Sequence, residues 1–366
     1  MKANAYTFNT PDNWIRILKR HPLKQLKYLP KFIYLSGTGL ITLPFQLIDQ
    51  KYYRKKVLAT PLHEEPLFVM GFWRTGTTHL HALLIQDERY AYVNNLQGLM
   101  PASVVSGGKF LSPVMQLLFP KKRPMDNIAI TPYAPQEEDI AMMNLTPHSF
   151  YHYVLFPTKI DQFFERYILM EGLTEEEMNE WRETYLYLLR STTFINGGKP
   201  LALKNPPNIT RIPELVKLFP KARYVEIRRD PLTTWQSYIH LHHSTIPTHN
   251  IEDFSWEEVE KSSMDIFERM VKRWMEERDL IPEENQVVIR YEDLVASPIE
   301  TLQFVYKSLG LSDEAVLPRW KSYLDSIKDY KRNTYKPTKK DIDFMRTKMA
   351  FLYEAWDYPL PDYPED

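Results

Sequence analysis

The chain has 366 residues, of which 43% are hydrophobic and 25% charged, ample material for a core and no compositional sign of disorder. A formal charge of −1 argues against a broad nucleic-acid-binding surface but leaves room for a local cationic pocket around a small anion. Cysteine is absent, which excludes disulfides, thiolate nucleophiles and cysteine metal sites and fits a reducing compartment.

Residues 1–11 are polar and lack the basic-then-apolar order of a secretory signal, so cytoplasmic residence is the default expectation. Residues 34–48 come nearest to a membrane segment, but Gly37, Gly39, Pro44 and Gln46 interrupt a run already too short to span. Lys19, Arg20, Lys24, Lys27 and Lys31 precede it and allow a peripheral membrane contact; a solvated helix face packed on the core is the favoured reading. Residues 68–72 form an apolar run that suits a buried strand. Gly71 and Gly76 then stand at the spacing of a phosphate-binding loop, with Thr77 where that loop carries its Lys. Gly76 permits close backbone approach, and Thr77 and Thr78 bring hydroxyls to a helix N-terminus, so an anion is expected here. The missing Lys would have reached the β/γ-phosphates of a nucleoside triphosphate. The cation has moved into the loop as Arg74, which points to another phosphorylated ligand.

Leu80, Leu83 and Leu84 have helical spacing within 77–86, and 90–93 reads as a second strand. Residues 103–135, rich in Pro, Gly and Lys, read as an irregular excursion able to wall a pocket. Helices are expected at 137–143 and at 174–189, the latter capped by Thr174. Beyond them short strands at 201–204, 222–227 and 286–290 alternate with helices at 209–219, 232–243, 256–278 and 298–309, the last ended by Gly310. This alternation predicts an α/β fold with a parallel sheet between helices, and ligands beyond the C-terminal strand ends, where Arg74, Lys204, Arg228 and Arg229 would converge.

A second anion site is expected where the strand at 222–227 runs into Arg228-Arg229-Asp230-Pro231 and a helix carrying Ser237, since a forked guanidinium with a hydroxyl clamps phosphate. With these two sites the chain resembles the sulfotransferases that use 3′-phosphoadenosine 5′-phosphosulfate (PAPS), in their bacterial branch. Arg74-Thr75-Gly76-Thr77-Thr78 fits the family's 5′-phosphosulfate loop. Arg229, with Ser237 eight positions later, fits its 3′-phosphate site. Leu203-Lys204-Asn205-Pro206-Pro207-Asn208, the segment from Leu218 to Arg223, Tyr291-Glu292-Asp293-Leu294 and Leu309-Gly310-Leu311 look like further family segments in the same order, so the resemblance covers about 67–311. It implies a P-loop-like central parallel sheet flanked by helices. Residues 61–312 would be the PAPS-binding core, 1–60 a helical appendage packed on it, and 313–366 an extension completing the donor and acceptor sites.

The implied reaction moves a sulfuryl group from a phosphate leaving group to an acceptor oxygen, so positioning and charge stabilisation dominate. Arg74 and the helix start near Thr77 would stabilise the departing phosphate, and Lys204 would contact the moving sulfuryl group, unless it is only a solvated strand-end Lys. No metal is required. His79 falls where cytosolic members stack an aromatic ring on adenine; a helix-face His without a role is the alternative. At the positions where relatives carry a general base the chain has Asn208 and Asn95, neither able to accept a proton at neutral pH. Glu138 in Gln136-Glu137-Glu138-Asp139 is the chosen base, with Glu137 and His81 behind it; an acidic first turn that only caps a helix is the bland alternative. His148, His152, His240, His242 and His243 suggest a metal, but His242 and His243 are adjacent on a helix and no HExxH pattern appears. Aromatic residues, 13% of the chain, gather with Met over 142–164 and suit a flat apolar alcohol, a sterol or steroid hydroxyl being the leading small-molecule acceptor. Two rivals remain: a P-loop nucleotide kinase, which should show a loop Lys, and a catalytically inactive nucleotide-binding protein, for which Asn208 and Asn95 would mark a dead site.

Overall fold

A computed structural model describes residues 4–119, 130–329 and 333–363. Four short strands carry the predicted pattern: β1 Leu67–Met70, β2 Ala202–Lys204, β3 Arg223–Arg228 and β4 Gln286–Arg290, in the sheet order β2-β1-β3-β4. β1 pairs parallel to β3 (Leu67 opposite Arg223, Met70 opposite Glu226), and β3 parallel to β4 (Tyr224 opposite Gln286, Arg228 opposite Arg290). Every residue of β1 is buried, as a strand covered on both faces requires. β4, at the sheet's end, alternates instead, burying Val287 and Ile289.

Contacts group the chain into two units. One comprises Met1–His63, Ala91–Leu203 and Ser244–Val259; the other comprises Glu64–Tyr90, Lys204–His243 and Glu260–Asp366 and holds β1, β3 and β4. In this second unit the helix Thr77–Leu84 follows β1 and Pro298–Ser308 follows β4, while Gly310, at φ +64°, ends the latter as expected. The segment expected to be one helix over 209–219 is two pieces, a 3₁₀ turn Pro206–Thr210 and a helix Ile212–Leu218, divided at Arg211.

Two expectations for the first unit are corrected. Residues 90–93 are not a strand: Ala91 makes one parallel bridge to Leu201, its N–H donating to the Pro200 carbonyl at 2.8 Å. The chain then turns into the helix Asn95–Leu99, because the Asn94 side chain accepts from Gln97 N–H while the Gln97 side chain accepts from Asn94 N–H. Nor is 103–135 irregular throughout. Val104–Leu118 is a helix of 15 residues, and 120–129 lie outside the described residues. Gly107 and Pro113 are accommodated within it. A Cβ on Gly107 would stand 3.0 Å from the Phe45 ring, so glycine lets the helix approach that side chain. The helix start is held from outside by Asp49, whose carboxylate accepts Val105 N–H at 3.0 Å and Ser106 N–H at 2.9 Å. Its inner side joins Phe8, Leu96, Leu99, Met100, Val104 and Met115 in one apolar cluster.

The apolar run at 34–48 is broken into the helix Leu29–Gly37, a 3₁₀ segment Thr38–Thr42 and the helix Leu43–Ile48. Among the described residues no helix is long and apolar enough to cross a membrane. The Thr174 cap forms as expected, starting Glu175–Ile195 through a reciprocal pair of bonds with Glu177.

Candidate active site

In the second unit, the C-terminal ends of β1, β3 and β4 each release a segment of the candidate site. β1 ends at Met70, and Gly71 turns the chain where a Cβ would lie 2.9 Å from the Ile227 carbonyl oxygen and 2.7 Å from Thr75 Oγ1. Only glycine lets the loop start that close to β3. Arg74 follows with φ +72°, a left-handed conformation costing a side-chain-bearing residue about 1–3 kcal/mol, and it is held there from two sides. Its Nε donates to Ser237 Oγ at 2.9 Å, and its carbonyl accepts from Arg229 Nη1 at 2.9 Å. The two arginine-based motifs, predicted separately from positions some 155 residues apart, are therefore directly bonded to each other.

Gly76, at φ +101°, caps the helix Thr77–Leu84, and a Cβ there would lie 2.3 Å from the Tyr291 ring. Tyr291 is the first residue after β4. Its other role is electrostatic: the Arg229 guanidinium lies over its ring, 4.4 Å from the centroid. Thr77 is buried and Thr78 and His79 half-buried in the first turn, whose leading N–H groups precede the first intrahelical bond, His79 N–H to the Gly76 carbonyl at 3.0 Å. Thr75 is fully buried and its hydroxyl donates to the Phe72 carbonyl at 2.8 Å, which shapes the loop.

Arg228 and Arg229 divide their labour. Arg228 pairs with Glu226 two residues back on β3 at 2.6 Å, so it serves the sheet, while Arg229 serves the loop. Lys204 ends β2 and is only 3% exposed, which removes the alternative of a solvated strand-end lysine. Beside it, Asn205 Nδ2 donates to Asn208 Oδ1 at 3.3 Å. Two residues escaped sequence reasoning. Tyr335 Oη lies 3.2 Å from Ser237 Oγ, and Asn333 Nδ2 donates to Tyr335 Oη at 3.3 Å; no local pattern in that Lys- and Pro-containing stretch marks them. The ring of His240 is 5.7 Å from that of Tyr335.

In the first unit, Glu138 opens the helix Glu138–Met143 with no solvent exposure, and Glu137 is its N-cap. The Tyr151 hydroxyl donates to Glu137 Oε2, and Gln136 bridges Glu137 N–H to Asn95 Oδ1, with 2.9 Å on each side. Met142, Met143, Phe150, Phe156, Phe163 and Phe164 are all buried. His81 belongs to the second unit, buried on the helix after the loop. The remaining histidines have protein partners. His152 Nδ1 accepts from the Tyr6 hydroxyl at 3.0 Å while its Nε2 faces the Thr146 carbonyl at 3.1 Å, and burial lowers its pKa to about 3. His242, also lowered to about 3 by burial, has Nδ1 3.0 Å from Ser263 Oγ, and His148 Nε2 lies 3.1 Å from Glu180. Burial tends to raise the Glu180 carboxyl, but the hydrogen bonds from His148 and Arg16 outweigh it and hold the pKa at about 2. Among the described residues no group of three or more His, Asp or Glu side chains is placed to hold a metal ion.

A parallel sheet whose strand ends present a glycine turn, a helix N-terminus and two interlocked arginines defines a P-loop-like, anion-handling α/β protein. The chain belongs to the sulfotransferase family, whose sequence profile matches residues 66–315. It is 31% identical over 315 residues to the omega-hydroxy-beta-dihydromenaquinone-9 sulfotransferase Stf3 of Mycobacterium tuberculosis, a match covering 86% of this chain and 79% of that protein; the Mycobacterium bovis protein of the same name matches equally. In fold it is similar to the sulfotransferase STF9 of Mycobacterium avium (TM-score 0.70, 18% identity, 99% of this chain and 94% of that one). It is also similar to STF1 of Mycobacterium tuberculosis (TM-score 0.62, 17% identity, 84% of each). The protein is thus a sulfotransferase.

Proposed function

We propose that this sulfotransferase uses PAPS as donor and sulfates the hydroxyl of an apolar, lipid-like alcohol. The observation that carries the donor assignment is the bonding of Arg74 to both Ser237 and Arg229, which brings two guanidiniums and a hydroxyl to one place beside a helix N-terminus, a donor set suited to two anionic groups of one ligand. When bound, PAPS supplies a sulfuryl group on a phosphate leaving group. Arg74, Thr75, Gly76, Thr77 and Thr78 hold the 5′ end, Arg229 and Ser237 hold the 3′-phosphate, and His79 stacks on the base. Lys204 and Arg74 neutralise charge that develops as the S–O bond to phosphate breaks and the S–O bond to the acceptor forms. Glu138, buried at the start of its helix, takes the acceptor proton. Glu137 and His81 are the secondary candidates, and no metal enters the scheme.

For the acceptor, the mycobacterial relative is named for a hydroxylated menaquinone, which favours a hydroxyl on a long isoprenoid chain over the sterol read from the aromatic content alone. The test is transfer of labelled sulfate from PAPS to a panel of ω-hydroxylated isoprenoid quinones, sterols, phenols and glycans. Labelling of the isoprenoid or sterol alcohols is expected, and labelling of glycans alone overturns the acceptor assignment. Calorimetry with adenosine 3′,5′-bisphosphate tests the donor. Arg229→Ala should weaken binding roughly 10- to 100-fold, the worth of one charge-assisted hydrogen bond, with Arg229→Lys recovering only part. Tight binding of ATP with none of the bisphosphate would sink the donor reading.

A further inference from the structure

We infer that the first unit carries a docking face for an anionic phospholipid bilayer, formed by the segment 26–58 together with the helix Val104–Leu118. The helix Leu43–Ile48 packs on Val104–Leu118: Phe45 and Phe110 stack with centroids 6.1 Å apart, and Asp49 caps the start of the longer helix. The sides of this pair turned away from the core stay apolar. Leu117 is 85% exposed, Phe110 74%, Leu40 61% and Leu47 58%, with Ile41 and Val114 among them. Scattered exposed apolar side chains are ordinary; a concentration of them on two packed helices and the turn leading into them marks an interaction surface.

Charge decides the occupant. Residues 22–48 contain Lys24, Lys27 and Lys31 and no carboxylate, the helix Val104–Leu118 contains Lys109 and no carboxylate, and Lys51, Arg54, Lys55 and Lys56 follow directly. The one acidic residue in the stretch, Asp49, is 2% exposed and turned onto backbone N–H groups. Lys27 is paired with Asp253, and Lys31 donates to Asn250 at 2.9 Å, so the exposed Lys51, Lys55, Lys56 and Lys109 are the cations left to this face. Asp253, the exposed carboxylate bonded to this segment, is paired with Lys27. Apolar side chains with an excess of cations complement a bilayer surface carrying anionic headgroups, where each basic residue adds attraction and each apolar one inserts at the headgroup boundary. The helices are too short and too interrupted to span, so the unit lies on the surface.

The inference is independent of the donor and acceptor chemistry, because it is read by binding without turnover. The full chain is sedimented with phosphatidylcholine vesicles, with and without phosphatidylglycerol, over a salt series, and its oligomeric state is measured in the absence of lipid. Binding to the anionic vesicles that weakens with salt is expected. Phe110→Glu with Leu117→Glu should lower the partition about tenfold or more. Lys51→Gln and Lys109→Gln should each lower it about fivefold on anionic vesicles and leave neutral ones unaffected. Circular dichroism and bisphosphate binding unchanged from the parent show that the variants fold. Equal, negligible sedimentation with both vesicle types overturns the proposal, as does a dimer in solution that the Phe110/Leu117 variant dissociates, since the face would then be covered by a second copy.

Discussion

Gly76 answers two demands at once, a φ of +101° and a space in which a Cβ would meet the Tyr291 ring at 2.3 Å. Alanine here incurs both the backbone strain and the clash, so Gly76→Ala should destabilise the protein by about 1–3 kcal/mol, read as a lower denaturation midpoint. Adding Tyr291→Ala separates the two causes: the double variant regains the steric part and keeps the backbone part. A Gly76→Ala protein that melts like its parent would contradict the observed loop. Arg74 is the counterpart, a side-chain-bearing residue kept at positive φ because Ser237 and Arg229 hold it. Burial of Lys204 belongs to the same scale, since a lysine seldom lies 3% exposed without a reason that outweighs desolvation.

Among the elements, the helix Val104–Leu118 shows how a long-range partner overrides local signals. Gly107, Gly108 and Pro113 lower its intrinsic propensity, and its first turn has no side-chain cap of its own. Asp49, more than fifty residues earlier in the chain, supplies the acceptor instead. Asp49→Ala leaves two N–H groups without that partner and should cost about 1–3 kcal/mol, with faster hydrogen exchange at Val105 and Ser106; Asp49→Asn should retain part of the loss. Exchange at those amides equal to the parent's would show that the cap carries no stability. By contrast the Glu175–Ile195 helix announces its own start, because Thr174 and Glu177 cap each other within one turn.

For the molecule as a whole, buried histidines set the acid limit. Burial lowers His152 and His242 to about 3, and burial together with Lys159 lowers His21 to about 4, against 6.5 for the free side chain. Each folded pKa lies below its unfolded value, so the unfolded chain binds more protons between them. The stability these groups contribute is present above about pH 6.5 and falls as pH drops through the window. Glu180, held at about 2, adds the same sign lower down, losing its contribution from about pH 4.5 towards 2. Denaturant midpoints should therefore fall steadily from about pH 7 to about pH 4. A flat profile there would mean the imidazoles are protonated without cost in the folded state.

The sequence alone determined the features whose cause is local. An apolar run followed by two glycines reads as strand, loop and helix start, and β4 is found with its predicted bounds, because strand signal, turn residues and caps act within a few positions. Both arginine-containing motifs were legible for the same reason. Tertiary structure decided what depends on residues remote in sequence: that Arg229 bonds the Arg74 carbonyl, that Tyr335 reaches Ser237, that Lys204 is buried, and that 90–93 makes one bridge where a strand was expected. It also decided which apolar side chains stay outside. Composition can count Leu40, Phe110 and Leu117, but whether each faces core or solvent follows from packing between distant segments, which no local pattern encodes.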